Sequence, residues 1–358
     1  MLTLRQELSK TQDISASDAP FIIAEMSGNH NQSLDRALAI VDAAAATGAH
    51  AMKIQTFTAD SMTLDLSEGE FTITDPKSLW YGRTLYDLYK EAHTPAEWHK
   101  PIFDRAKEHG MMAFSTPFSE DAVELLESLD VPLYKIASFE ALDLPLIRCV
   151  AETGKPMIIS TGMASVVEIG EAVEAAMSSG CTNLTLLKCT SSYPATPENT
   201  NLRTMPVIGQ TFGVNYGLSD HTMGTGVAVA ATALGASAIE KHFIIDRSDG
   251  GVDSAFSLEP DEFKALVVET ERAAQSLGDV WFGGTASEQA GRKKRRSLYI
   301  GEDLKAGDVL TPSNLRRIRP GLGLAPRHYD ALLGRRVGRD VAKGTPMDWS
   351  LLDDSAPE

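Results

Sequence analysis

Cysteine, basic charge and long apolar runs are all scarce in this 358-residue chain. Cys149, Cys181 and Cys189 are odd in number and show no close pairing. That disfavours a disulfide framework and suits a reduced compartment, with the three thiols read as small buried hydrophobes. Lys and Arg total 33 against 49 Asp and Glu, a net charge of −16, which speaks against nucleic acid or an anionic membrane surface as partner. The one basic run, Arg292-Lys293-Lys294-Arg295-Arg296, lies in acidic surroundings and reads as a solvated hinge between domains. No stretch approaches the roughly 18 apolar residues of a membrane span. Met1 to Pro20 lack the basic-then-apolar pattern of a secretory signal, so the expected location is the cytoplasm. No Gly-x-Gly-x-x-Gly follows the first strand candidate, which weighs against a doubly wound open sheet.

What is present is regular punctuation. Gly48, Gly110, Gly154, Gly180 and Gly235 each end a helical pattern and precede a strand-like run, as left-handed C-terminal caps do. Thr94-Pro95-Ala96-Glu97 and Ser165-Val166-Val167-Glu168 read as capping boxes. Leu34, Leu38, Val41 and Ala45 keep the spacing of one buried helix face. Strand candidates are Phe21–Met26, Ala51–Phe57, Met112–Thr116, Leu133–Ser138, Met157–Thr161, Leu184–Thr190, Phe212–Gly217 and Ala238–Phe243. Eight strands alternating with helical patterns predict a (β/α)8 TIM barrel. The stretch Thr58–His93 is too long for a simple βα connection and reads as a lid or a packed rim insertion. From residue 297 short strand-like pieces separated by Gly and Pro predict a small β-rich module. The expected division is a barrel over 1–285, a linker over 286–296 and the module over 297–358.

Ionisable and hydroxyl residues recur at the C-terminal ends of the strands, the face where such barrels do chemistry. They are Glu25, Lys53 with Gln55, Ser115 with Thr116, Lys135 with Ser138, Ser160 with Thr161, Lys188 with Thr190, Ser219 with Asp220 and His221, and Glu240 with His242. Charges buried there are costly unless paired or bound to a ligand. Lys53 and Lys135 can converge on one anion, with Ser138, Ser160 and Thr161 as hydroxyl donors. His221 and His242 supply two imidazoles, leaving positions open on a divalent metal, and imidazole ligation favours Mn²⁺, Co²⁺, Zn²⁺ or Fe²⁺ over Mg²⁺. Glu25 and Glu240 can support the ligands or activate a water. The residues alone imply a metal-assisted reaction on an anionic, phosphorylated substrate.

Ile22-Ile23-Ala24-Glu25-x-x-x-Asn29-His30-Asn31, Lys53-x-Gln55-Thr56, Ser115-Thr116-Pro117-Phe118, Lys135-Ile136-Ala137-Ser138-Phe139-Glu140, Ser160-Thr161-Gly162-Met163, Cys189-Thr190-x-x-Tyr193-Pro194, Leu218-Ser219-Asp220-His221-Thr222 and Glu240-Lys241-His242-Phe243 together resemble the sialic acid synthase family. The tail, with Arg295-Arg296-Ser297-Leu298 and Arg319-Pro320-Gly321-x-Gly323, resembles the antifreeze-like (SAF, β-clip) domain of those enzymes. The resemblance implies a C–C bond-forming transferase that condenses phosphoenolpyruvate with an N-acetylated amino sugar. It implies metal binding by His221 and His242, with Mn²⁺ expected first and Mg²⁺, Co²⁺ or Zn²⁺ as alternatives. It implies catalytic roles for Glu25, Lys53, Lys135 and His242. Phosphoenolpyruvate would be held by Lys53, Lys135, Ser138, Ser160 and Ser219. The sugar would face Glu25, Gln55, Glu140, Tyr193, Asp253 and Arg319. Ser191 stands where the family has an asparagine and can take over its contact. Arg319 would come from a partner's SAF domain in a domain-swapped homodimer.

Within the family, three stretches shift the expected sugar: Glu25-Met26-Ser27-Gly28-Asn29-His30-Asn31, Ser78–Tyr86, and Gly250-Gly251-Val252-Asp253-Ser254-Ala255-Phe256-Ser257. They resemble the branch that uses 2,4-diacetamido-2,4,6-trideoxy-L-altrose rather than the neuraminate or legionaminate branches, with Phe256 expected against the sugar's methyl or packed in its loop. A non-catalytic carbohydrate-binding scaffold is the alternative of another class.

Overall fold

In a computed structural model describing residues 4–8 and 18–353, the chain divides into two compact units, Met1–Gly278 and Asp279–Glu358. The first is a closed parallel barrel of eight strands in sequential order. These are β1 (Phe21–Glu25), β2 (Ala51–Thr56), β3 (Met112–Pro117), β4 (Tyr134–Ile136), β5 (Met157–Ser160), β6 (Leu184–Cys189), β7 (Asn215–Asp220) and β8 (Ala238–His242). Each of the first seven is joined to the next through a helix, and Pro260–Leu277 follows β8. The expected TIM barrel is therefore the observed fold.

Strand side chains alternate faces with a period of two, and that alternation builds the site. Phe21, Ile23, Ala51, Phe114, Leu133, Ile158, Leu187 and Ala238 form one buried apolar cluster, joined by Leu4 and Leu8. Each faces the barrel interior near its floor. Two residues further along the same strands stand Glu25, Lys53, Thr116, Lys135, Ser160, Cys189 and Glu240, all buried. The opposite parity (Ile22, Met52, Ile54, Leu218, Ile239) packs against the helices. Apolar side chains thus fill the lower barrel, and the polar ones gather above them.

The five expected cap glycines all have positive φ, from 71° at Gly110 and Gly154 to 109° at Gly180. Ser165 and Glu168 form the expected capping box. Three details differ. The seventh strand begins at Asn215 rather than Phe212, because Phe212 ends the helix Thr204–Phe212 and Gly213 caps it in the left-handed conformation. Thr94 does not cap the helix Ala96–Glu108; its hydroxyl lies 3.4 Å from His30 Nε2. The fully buried stripe of the helix Leu34–Thr47 is Ala37, Ile40, Val41 and Ala44, with Leu34, Leu38 and Ala45 half-buried beside it.

The second unit has its own core, built on Leu298, Ile300, Leu310, Leu315, Val337 and Met347 among others. Its β9 (Ser297–Ile300) and β10 (Leu315–Ile318) pair antiparallel, and isolated bridges tie in the rest. Residues 354–358 of the expected module lie outside the described residues.

Candidate active site

The register pairs Glu25 with both Lys53 and His242, and Ser219 with Glu240. Neighbouring strands therefore set charged side chains side by side. Lys53 Nζ lies 2.6 Å from Glu25 Oε2 and donates to Thr116 Oγ1 at 3.1 Å. Lys53 and Lys135 each place Nζ 3.8 Å from the same oxygen, Glu240 Oε1. Ser219 Oγ donates to that oxygen at 3.2 Å. All these side chains are nearly inaccessible, so their charges persist only through one another.

Burial works to lower Lys53, but Glu240 and Glu25 outweigh it and raise its pKa. Burial likewise works to raise Glu240, and Lys135 with Lys53 brings it below the usual carboxylate range. Burial pushes Glu25 up, with Lys53 pulling against it. Lys135 is lowered by burial, Glu240 offsetting part of the effect. The barrel thus holds a firm ammonium–carboxylate core beside a carboxyl biased towards taking up a proton.

Above this layer Gln55 Nε2 donates to Glu25 Oε1 and to Ser27 Oγ, both at 3.1 Å. Ser27 in turn donates to Asp253. Ser138 and Ser191 share a hydrogen bond of 2.8 Å. This close approach needs Gly162, which has φ of +49° and where a Cβ would lie 2.6 Å from Ser138 Cβ.

His221, one residue past β7, and His242, the last of β8, have ring centroids 5.4 Å apart. Thr190 O lies 3.0 Å from His221 Nδ1. A carbonyl only accepts, so in the neutral ring that nitrogen carries the proton and Nε2 keeps its lone pair. His242 is held neutral by burial, with His221 adding to the effect. Its buried Nδ1 has no hydrogen-bond partner, and Asp253 Oδ2 is 3.7 Å away. These two imidazoles are chemically suited to a divalent cation that keeps open positions. Among the described residues no group of three or more His, Cys, Asp or Glu side chains is spaced to hold a metal.

A cavity of about 360 Å³ opens here, lined on its polar side by Gln55, Ser138, Glu140, Ser191, Tyr193, His242 and Asp253. Glu140 Oε2 and Ser160 Oγ are buried without partners, and burial raises the Glu140 carboxyl to about 7. The fold so gathers the candidates from β1 to β8, while Arg319 belongs to the second unit. Ser115, Lys188 and Asp220 are not among them, because their parity turns them outward, Ser115 to Ile54 O and Thr56, Lys188 to Cys189 O and Asp220 to Lys241. Phe256 is 1 % exposed and lies against Tyr193, His221 and His242 rather than on the cavity. Among the cavity residues with no individual role from the sequence are Ser27, whose φ is +47°, Ile73, Trp80 and Leu88. A place inside the Glu25–Asn31 motif was the available signal for the first.

A closed parallel barrel with a charged, cavity-bearing mouth defines a TIM-barrel enzyme class. Residues 40–281 match the NeuB family and residues 295–353 match a SAF domain. The chain belongs to the NeuB family. It is 43% identical to a pseudaminic acid synthase of Campylobacter jejuni, over 91% of this chain and 95% of that one. It is 42% identical to a pseudaminic acid synthase of Helicobacter pylori, over 92% and 96%. An N-acetylneuraminic acid synthetase crystal structure from Leptospira borgpetersenii, in complex with citrate, is similar at TM-score 0.67 and 32% identity, covering 77% of this chain and 91% of that one.

Proposed function

We propose that the chain is a C–C bond-forming transferase that condenses phosphoenolpyruvate with 2,4-diacetamido-2,4,6-trideoxy-L-altrose and water, giving pseudaminic acid and phosphate. The observation that carries the reading is the pair of buried ammonium groups, Lys53 and Lys135, converging on Glu240 beside two imidazoles. Such a cluster suits a multiply charged phosphate–carboxylate substrate held in a low-dielectric mouth. Identity of 42% and 43% with pseudaminic acid synthases supports the sugar.

In this reading Lys53, Lys135, Ser138, Ser160 and Ser219 bind phosphoenolpyruvate, with Ser191 completing the contact beside Ser138. Gln55, Glu140, Tyr193 and Asp253 orient the open-chain sugar. C3 of phosphoenolpyruvate forms a bond to the aldehyde carbon, and water adds at C2. Glu25, raised by burial, takes the proton from that water. The tetrahedral adduct then breaks its C–O bond, and phosphate leaves with the bond's electrons. Lys53 and Lys135 balance charge throughout, worth several kcal/mol. A divalent cation on His221 and His242 would supply Lewis acidity to the sugar's carbonyl oxygen, Mn²⁺ being the first expectation. Among the described residues no helix is long and apolar enough to cross a membrane. We retain the cytoplasmic location, the division at 1–285, 286–296 and 297–358, and the domain-swapped homodimer with Arg319 donated in exchange as parts of this proposal; the homodimer rests on the family resemblance alone.

Mass spectrometry of the product from phosphoenolpyruvate and a panel of sugars tests the reading. Pseudaminic acid is expected with the altrose derivative. Turnover of N-acetylmannosamine with none of that sugar would make the chain a neuraminate enzyme instead. Sugar binding without consumption of phosphoenolpyruvate would leave only a scaffold.

A further inference from the structure

The insertion between β2 and the helix Ala96–Glu108 is a built structure. Thr72 and Thr84 bridge antiparallel, Ile73 N donates to Arg83 O at 2.9 Å, and Gly82 N returns to Ile73 O at 2.8 Å. Residues 72–84 so close as a hairpin. Thr84 then caps the helix Leu85–Ala92 by accepting from Asp87 N. Trp80 Nε1 donates to Val252 O at 2.8 Å, one residue before Asp253. Val252 sits over Gly28, where a Cβ would lie 2.5 Å from its Cγ2.

This insertion lays a largely apolar wall along the cavity. Ile73, Trp80 and Leu88 line it together with Phe57, Phe118 and Val252. Tyr89, on the same helix, lines the cavity too and brings a hydroxyl, and Gln55, Ser138, Glu140, Ser191 and Asp253 supply other polar groups. The Trp80 ring is 6.1 Å from that of Tyr193, so the two surfaces meet around one ligand-sized space.

We propose that the hairpin and its helix determine which sugar is accepted, with Ile73, Trp80 and Leu88 as the specificity residues. This rests on the function proposed above. The 6-deoxy sugar carries three methyl groups, two on acetamido groups and one at C6, and all can lie against a dry wall. A C6 hydroxyl lying against Ile73, Leu88 and the Trp80 ring, whose Nε1 is already taken by Val252 O, would lose its water without gaining a hydrogen bond, a loss the methyl does not suffer. The wall therefore selects chiefly by penalising the hydroxyl.

The test uses the full chain loaded with Mn²⁺ and reads phosphate release. The substrates are 2,4-diacetamido-2,4,6-trideoxy-L-altrose and its 6-hydroxy counterpart. Apolar pockets discriminate by roughly 10–200-fold for such a change, so the wild type should prefer the 6-deoxy sugar within that range. Ile73→Asn should narrow the preference by about tenfold or more, through the sugar KM, while the KM for phosphoenolpyruvate stays unchanged. Ile73→Thr keeps the branched shape and carries the same test if Ile73→Asn lacks the wild-type thermal transition. An active wild type whose preference survives these substitutions overturns the lid's role alone. No turnover of the 6-deoxy sugar by the wild type overturns the proposed function and this inference with it.

Discussion

Lys241 Nζ lies 2.6 Å from Asp220 Oδ2, and both side chains are buried on the helix side of β7 and β8. The same ammonium donates to Thr222 O, while Asp220 Oδ1 accepts from the backbone and hydroxyl of Thr222. Each partner of this ion pair is the chain neighbour of a candidate metal ligand, His221 or His242. The pair ties together the two strand ends that carry these imidazoles. Lys241→Met leaves a buried, uncompensated carboxylate, and breaking such pairs costs about 3–5 kcal/mol. Urea denaturation should show an unfolding free energy lower by that amount, and Mn²⁺ binding should weaken in parallel.

Glu25→Gln removes the proposed base but keeps the hydrogen bond from Gln55. Loss of a general base lowers turnover by about 10²–10⁴-fold. Phosphate release should fall by that factor with little change in the KM for phosphoenolpyruvate. Lys53→Met instead leaves Glu25 and Glu240 facing each other without their shared cation, and should raise that KM. A substrate affinity untouched in Lys53→Met would show that the lysine does not hold the anion.

Acid stability should follow His30. The side chain is inaccessible, and burial holds its pKa at about 4, against 6.5 when unperturbed. The unfolded chain therefore binds the extra proton first. The stability due to a neutral His30 is complete above pH 6.5 and is lost as pH falls towards 4. The shift corresponds to roughly 3 kcal/mol at most. Unfolding midpoints taken between pH 7 and 4 should decline less steeply in His30→Gln.

Glu140 lines the cavity with its carboxyl raised to about 7 by burial. Below that pH the protonated group donates a hydrogen bond; above it the carboxylate only accepts. The pH profile of kcat/KM for the sugar should bend near 7, and Glu140→Gln should remove that bend. A bend that persists in the variant assigns it to another group.

Much of this was readable in the residues. Five glycines marked helix ends, and eight short strand-like runs between them counted out the barrel. Lys53, Lys135, His221, Glu240 and His242 stood out as polar groups at the ends of apolar runs. The failures have physical causes. Phe212 has strand propensity, yet the left-handed Gly213 behind it closes a helix. Ser115 looks like a mouth residue, but one step of parity turns it outward. Thr94 has a good cap spacing, and a contact with distant His30 wins instead.

The sequence by itself determined the alternation of strands and helices and the parity that sends Glu25, Lys53, Lys135 and Glu240 inward, because both depend on local periodicity. Only the tertiary structure decided that Lys53 and Lys135 share one carboxylate, that Trp80 reaches Val252, and that Phe256 lies against the histidines. Those relationships join residues 14 to 187 positions apart. Barrel closure and side-chain packing set such distances, and no local pattern encodes them.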